Sequence, residues 1–220
     1  MAQIISASQA VQFFKSGQTL MIGGFLTCGS PQIVIDELLK TNLAGWTLIA
    51  NDTSTPESDR GKLIAAHKIK KAIVSHIGTN PQTVEQMNSG KLEVDLVPQG
   101  TLAERVRAGG AGLGGILTPV GLNTDVAKNK QLINVDGQDF LLEKPLKADV
   151  ALVYATYADK YGNLAFYGST RNFNAIMPLA AQTVIAEVDE LSETALNPNH
   201  VVVPGIFVDY VVVRGKNELK

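Results

Sequence analysis

The sequence predicts an α/β fold, a single domain with a mixed, mostly parallel sheet flanked by helices. Three observations lead there. Short β-branched runs alternate with helical patterns along all 220 residues, the order expected of a sheet with helices packed on it. Hydrophobic residues make up 45% of the chain, ample for a buried core. No repeat, low-complexity tract or linker divides it, so residues 1–220 read as one domain.

Thr19, Leu20, Met21 and Ile22 read as a buried strand that runs through a glycine-rich turn into a helix. Ser30 is the expected N-cap and Pro31 the first helical residue, with Ile33, Val34, Leu38 and Leu39 on one apolar face. The first amides of a helix lack internal partners, and adjacent glycines admit an anion closely, so residues 24–30 form a candidate anion-binding corner. The bland alternative is a strand-to-helix turn without a ligand. Two familiar phosphate loops are excluded. Gly24 and Gly29 have P-loop spacing, but Ser30 and Pro31 stand where lysine and a magnesium-binding hydroxyl are required. The adjacent pair Gly23-Gly24 breaks the dinucleotide fingerprint.

Further along, residues 47–50, 72–76 and 92–97 read as buried strands. Asn80-Pro81 starts a helix that ends near Gly90. Thr101 to Glu104 has the pattern of a capping box, with a helix to about Gly109 and then a flexible loop over 109–115, either mobile or ligand-approaching. Ile133, Val135, Phe140 and Leu142 flank Asp136-Gly137 as a hairpin. Residues 149–157, 183–188, 201–203 and 208–213 are strand candidates, and 174–182 a short helix. Val211, Val212 and Val213 are expected at an apolar sheet edge that a partner chain would cover.

Composition removes several function classes. Nineteen basic against 21 acidic residues, with no basic stripe, leave nucleic-acid binding nothing to rest on. No apolar run approaches the roughly 20 residues that cross a bilayer, and residues 1–6 carry neither a charged leader nor a long apolar run, so no membrane association and a cytoplasmic protein are expected. One cysteine excludes an internal disulfide, and His67, His76 and His200 show no metal-ligand spacing.

Four segments together resemble the α (A) subunits of family I coenzyme A transferases, most closely those of acetate and acetoacetate type. They are Gly23-Gly24-Phe25 through Gly29-Ser30-Pro31, the run from Pro98-Gln99-Gly100-Thr101 to Gly112, Ala158-Asp159-Lys160-Tyr161-Gly162-Asn163-Leu164, and Arg171-Asn172-Phe173-Asn174. They occur in the family's order and span nearly the whole chain. Two departures stand out. Ser16 replaces an acidic or asparagine residue at a turn, and the family's Thr-Pro-Thr-Gly-Val-Gly-Thr is here Thr118-Pro119-Val120-Gly121-Leu122-Asn123-Thr124. The second bears on loop conformation and on acyl-chain preference.

The resemblance implies covalent catalysis: a glutamate attacks an acyl-CoA thioester, giving an anhydride and then a glutamyl-CoA thioester, which an incoming carboxylic acid reverses. Coenzyme A is thus a substrate, and no tightly bound cofactor or metal is implied. The family's nucleophile lies in a Glu-Asn-Gly context on the β subunit. None of the ten glutamates here has that context, so the chain is expected to be half of an enzyme, paired with a CoA-transferase β subunit in an α2β2 assembly. The resemblance assigns Gly24, Phe25, Leu26, Thr27, Cys28, Gly29 and Ser30 to coenzyme A binding. It makes Gln99 an acyl-site hydrogen-bond donor, against an ordinary loop glutamine.

Other residues read as structural. Cys28 is expected to be a small buried hydrophobe, since no histidine is near it in sequence. Arg171, Asn172 and Asn174 either clamp a carboxylate, join a subunit interface, or form a turn and N-cap. Asp189 and Glu190 read as a solvated strand end, and Asp159 and Asn163 as shaping a turn around Gly162. Two other classes remain: a sugar-phosphate isomerase-like enzyme, needing a base and a lysine in one pocket, and a non-catalytic coenzyme A-binding partner.

Overall fold

The computed structural model describes residues 2–215. The chain starts with β1 (Gln3–Ile4) and the short α1 (Ala7–Ala10), then alternates through β2 (Thr19–Ile22), α2 (Ile33–Leu39), β3 (Trp46–Ile49), α3 (Asp59–Ala65), β4 (Ile69–Val74), α4 (Pro81–Asn88), β5 (Glu93–Leu96) and α5 (Gln99–Ala111). A three-stranded antiparallel sheet follows, of β6 (Ile116–Thr118), β7 (Gln131–Val135) and β8 (Gln138–Glu143), in the order β6-β8-β7. The chain then returns through β9 (Ala148–Asp159), β10 (Leu164–Ala165), β11 (Ala181–Ser192) and β12 (Tyr210–Val213).

The main sheet has the order β1-β12-β11-β9-β2-β3-β4-β5, with β10 antiparallel on the end of β9 and all other pairs parallel. From β2 the chain steps outward through β3, β4 and β5, and from β9 it steps the other way through β11 to β12. The winding therefore reverses between β2 and β9, the position where open α/β sheets leave a crevice at the carboxyl ends of their strands. The two-residue side-chain period places Leu20 and Ile22 on one face, in a core with Trp46, Val34, Leu38, Leu63 and Ile64. Met21 joins Ile49, Val153, Leu102 and Val106 on the other. Thus α2 and α3 cover one face and α5 the other.

Expected strands at 47–50, 72–76, 92–97, 149–157, 183–188 and 208–213 are present as β3, β4, β5, β9, β11 and β12, with ends that differ by a few residues. The Asp136-Gly137 hairpin closes with both residues at positive φ (51° and 82°) and Val135 opposite Gln138, the geometry of a two-residue primed turn. Asn80 caps α4 by accepting the Thr83 amide.

Several expectations are corrected. β12 is not an edge strand: β1 pairs its outer side and Val211 and Val212 are 1% exposed, so the edge argument for a partner chain lapses. Residues 201–203 make only an isolated bridge, Leu164 to Val203, because Pro198 and Pro204 bracket them and lack amide donors. Pro178 likewise breaks 174–182 into 3₁₀ turns, Phe173–Ala175 and Met177–Ala180, before β11 begins at Ala181. The capping box does not form, since α5 already begins at Gln99 behind Pro98 and leaves Thr101 inside the helix. Glu104 instead pairs with Arg107 on the surface at 3.2 Å. Nor is 109–115 a loop throughout: α5 continues to Ala111, and Gly112 ends it at φ 71°.

Gly109 and Gly110 are there for contact. A Cβ on Gly109 would lie 1.9 Å from the Leu146 carbonyl oxygen, and one on Gly110 would lie 2.6 Å from Leu179 Cβ. Alanine favours an exposed helix interior over glycine by about 1 kcal/mol, but at this contact the sign reverses. Gly109→Ala is expected to lower the thermal unfolding midpoint, read by calorimetry, with an unchanged or raised midpoint contradicting the close-packing argument.

Candidate functional site

The carboxyl ends of β2, β3, β4 and β5 open onto a cleft of about 370 Å³, lined by Phe25, Leu26, Asn51, Asp52, Ser75, His76, Thr79 and Gln99. Each strand delivers part of the lining through the loop that follows it. Gln99 opens α5 and donates from Nε2 to Asn51 Oδ1 at 2.6 Å. Asn51 in turn donates from Nδ2 to Asp52 Oδ2 at 2.8 Å, so one hydrogen-bonded line runs from the cleft into the interior.

That line ends at Arg60, which is fully buried. Its Nε donates to the Asp52 carbonyl at 2.7 Å, Nη2 to Asp52 Oδ1 at 2.5 Å and Leu26 O at 3.2 Å, and Nη1 to Gly23 O at 3.3 Å, Ser30 Oγ at 3.0 Å and Asp59 Oδ1 at 3.1 Å. Asp52 also accepts the amides of Leu26 and Ser54. Burial pushes the Asp52 carboxyl upward, but the Arg60 guanidinium and these donors outweigh it and hold the group below the usual carboxylate range. At Asp59 burial prevails over Arg60 and raises the carboxyl. Asp52 is therefore the ionic partner of Arg60, with Asp59 the weaker one.

The loop after β2 is folded tightly by this group. Phe25 and Cys28 exchange backbone hydrogen bonds of 3.0 and 2.9 Å, and Leu26 takes a positive φ of 48°. Ser30 is not an N-cap: its hydroxyl donates to Leu26 O at 2.9 Å and accepts from Arg60, while α2 begins three residues later behind Gln32. Pro31 accordingly lies before the helix. The amides of Gln32 and Val34 are already taken by the Glu187 carboxylate at 2.7 and 3.1 Å. The expected anion corner thus holds an anion of the protein's own, and Gly24 N–H goes to Asn172 Oδ1 at 3.2 Å. What residues 24–30 offer a ligand is their exposed surface, with Phe25 48% exposed. A Gly24→Val change is no probe of ligand contact, because a Cβ at its φ of +112° would meet Ser30 Oγ at 2.2 Å.

Arg214 closes the opposite side of the loop, pairing with Glu187 at 2.6 Å and Asp189 at 3.2 Å and donating to Ser30 O at 2.6 Å. Asp189 is therefore not a solvated strand end, while Glu190 beside it is exposed. The Tyr154 hydroxyl also donates to Asp189; burial, and then that bond, push its phenol up to about 12. Asn172 and Asn174 clamp the loop itself. Asn172 Nδ2 donates to Cys28 O at 3.1 Å, and Asn174, fully buried, donates to Gly29 O at 2.8 Å while accepting the Tyr154 amide. Asn172 also caps the 3₁₀ turn that follows it, and Arg171 is exposed. Cys28 is half-buried, its Sγ 3.3 Å from Ser169 Oγ. Asp159 accepts the amides of Tyr161 and Asn163 around Gly162, the expected turn. Among the described residues no cluster of metal-ligating side chains and no helix long and apolar enough to cross a membrane occurs.

Sequence reasoning missed Asp52, Arg60, Glu187 and Arg214. A usable signal existed for Asp52, an acid directly after a predicted strand, at the carboxyl end where α/β sites gather. Removing one partner of a buried ion pair costs about 3–5 kcal/mol, so Asp52→Asn should destabilise the protein by about that much in urea titration and Asp59→Asn by far less. The pH dependence follows with opposite signs. The stabilisation from Asp52 is present above the ordinary carboxylate pKa and is lost as pH falls through its depressed value. That from Asp59 is complete below the ordinary value and fades as pH rises through its raised one. Equal losses in the two variants would refute the assignment of Asp52 as the ionic partner.

Comparison with known proteins gives this arrangement a context. The family model described as coenzyme A transferase matches residues 4–214. The chain is 47% identical over 217 residues to the acetate CoA-transferase subunit alpha of Escherichia coli K12, covering 98% of this chain and 99% of that one. It is also 47% identical over 212 residues to the acetoacetyl-CoA:acetate/butyrate CoA transferase alpha subunit of Clostridium acetobutylicum, covering 96% and 97%. Among solved structures, glutaconate coenzyme A-transferase from Acidaminococcus fermentans superposes with a TM-score of 0.85 at 20% identity, over 96% of this chain and 75% of that one. An acyl-CoA transferase from E. coli O157:H7, crystallised as a thioester complex with CoA, superposes at 0.83 and 22% identity, over 97% of this chain and 47% of that one. These structural likenesses bear on the fold, while the close sequence relatives bear on the role. The chain therefore belongs to the coenzyme A transferase family, as an α subunit.

Proposed function

We propose that this α subunit forms, with a β partner, an acyl-CoA:carboxylate CoA-transferase of acetate and acetoacetate type. In this reading the α chain supplies the acyl-CoA and acyl-site contacts, and the β chain supplies the nucleophilic glutamate. One observation carries the division of labour: no glutamate lines the cleft, and its only carboxylate, Asp52, is bound to Arg60. No lysine lines it either, which leaves an isomerase-type proton transfer without its usual partner.

In the proposed reaction the partner's glutamate adds to the thioester carbonyl of acyl-CoA. The C–S bond breaks, leaving an acyl-glutamyl anhydride and CoA thiolate. The thiolate then adds to the glutamyl carbonyl, releasing the first carboxylate and leaving a glutamyl-CoA thioester that the incoming acid reverses. Gln99 is the residue of this chain assigned to the reacting oxygen. A neutral amide donates to a developing oxyanion without competing as a nucleophile, and the Asn51 contact holds its orientation. The exposed face of Phe25 and of Leu26, Thr27 and Cys28 is assigned to the coenzyme A chain, which packs there and excludes water from the hydrolysable intermediates. Gly24, Gly29 and Ser30 shape that face from within. An α2β2 assembly is the proposed stoichiometry, as the family resemblance implies.

Three measurements test this. The purified α chain should show no CoA transfer between acetyl-CoA and a short-chain acid, and co-purification with its β subunit should restore it; full activity of the isolated chain would overturn the division of labour. In the complex, Gln99→Ala should lower kcat by about tenfold or more, and an unchanged kcat would remove Gln99 from the chemistry. Phe25→Ala should raise the KM for acyl-CoA with little change in kcat, and equal KM values would take the loop surface out of the binding site.

A further inference from the structure

A second cleft lies beside the first turn of α5. Gly100, Thr101 and Glu104 form one wall and β6 with Val120 the other, around about 360 Å³, the low end of the range for small-molecule sites. Gln99 borders the first cleft and its neighbour Gly100 the second, so one helical turn serves both. A Cβ on Gly100 would meet nothing within 4 Å, which leaves that side open. The facing wall is apolar: Leu117 is 42% and Val120 49% exposed. Thr101, 4% exposed, has an Oγ1 with no hydrogen-bond partner among the described residues, unusual for a buried hydroxyl. The segment is also held in place. Thr118 Oγ1 accepts the Val120 amide at 3.2 Å, and Gly121, at φ +92°, leaves the space where a Cβ would lie 2.6 Å from Val126 Cγ1.

We propose that this second cleft receives the hydrocarbon chain of the carboxylic acid substrate, and that Val120 sets the chain length accepted. The inference rests on the transferase reading above. With the reacting carboxyl group beside Gln99, a chain that continues past Gly100 enters this cleft, where each added methylene is buried against Leu117 and Val120. An acetyl group would leave most of the space empty. Leu117 and Val120 present apolar side chains to it, so the wall favours an alkyl chain.

The test uses the assembled αβ enzyme, with kcat/KM measured for acetate and for butyrate as acceptors and co-elution of the subunits checked by gel filtration. Val120→Phe should lower the butyrate-to-acetate ratio by about tenfold. Val120→Ala, which widens the cleft, should move the ratio by a smaller factor and not in step with a loss of acetate activity. A ratio that stays within about twofold of wild type in both variants overturns the assignment. So does loss of co-elution in Val120→Phe with equal loss on both acids, which would make the cleft a seat for the β subunit. A wild-type complex that transfers CoA to neither acid sinks the transferase reading itself, whereas an active complex with an unmoved ratio sinks only the chain-length assignment.

Discussion

The buried ion pair of Arg60 and Asp52 is the constraint on which the rest of this site depends. A guanidinium removed from water loses several kcal/mol of hydration, which is recovered only when its donors are nearly all matched. Here they are matched by carbonyls from residues 23, 26 and 52, a hydroxyl from residue 30 and carboxylates from residues 52 and 59, so the pair can form only when three separate chain segments have the right shape. The segments are the loops that follow β2 and β3 and the start of α3. Each is irregular and carries a non-glycine residue at positive φ: Leu26, Ser54 and Asp59. Such conformations persist where the surroundings over-determine them, and the guanidinium does so.

The same arrangement explains why the most conspicuous feature of the sequence does something other than its geometry advertises. A glycine turn entering a helix at the switch point of a parallel sheet is where many α/β proteins place a phosphate. In this chain the helix start is closed by Glu187, which is itself neutralised by Arg214. The loop is left as a rigid, outward-facing surface, braced by Arg60 on one side, by Arg214 on another and by Asn172 and Asn174 from the segment beyond β9. Rigidity of this kind suits the proposed reaction, whose intermediates are easily hydrolysed, because water is excluded only by surfaces that hold their shape.

How much of this could be read from sequence divides along physical lines. Several signals that act within a few residues held: Asn80-Pro81 opened a helix, Asp136-Gly137 turned a hairpin, and the apolar runs other than 201–203 became strands, since each depends on local backbone preference or two-residue alternation. Signals with two physical meanings misled. Ser30 and Thr101 fit capping patterns, but tertiary contacts moved the helix starts, and the glycines at 109 and 110 served close packing instead of flexibility. Gln99, which lines the cleft at the start of α5, was singled out through the family resemblance. Arg60, Glu187 and Arg214 were not. A charged residue gives no sign in one dimension of which distant groups it will meet: Ser30 lies 30 positions from Arg60 and 184 from Arg214, and Gln32 lies 155 from Glu187.

The electrostatic character of the cleft follows from the same pairing and bears on why a transferase of this kind is divided between two chains. With Asp52 bound to Arg60, the cleft offers amide and hydroxyl groups and the His76 imidazole, but no free carboxylate. A second carboxylate there would repel an attacking glutamate and raise its pKa, lowering the fraction in the nucleophilic form. It would also compete for the acyl group. In the proposed reaction, a cleft free of such a charge, with Gln99 oriented through Asn51, lets the partner's glutamate arrive ionised next to a preorganised donor. In that reading the hydrogen-bonded line from Gln99 through Asn51 to Asp52 connects the proposed chemistry with folding: the ion pair that shapes the loops also withdraws the one acid that would interfere.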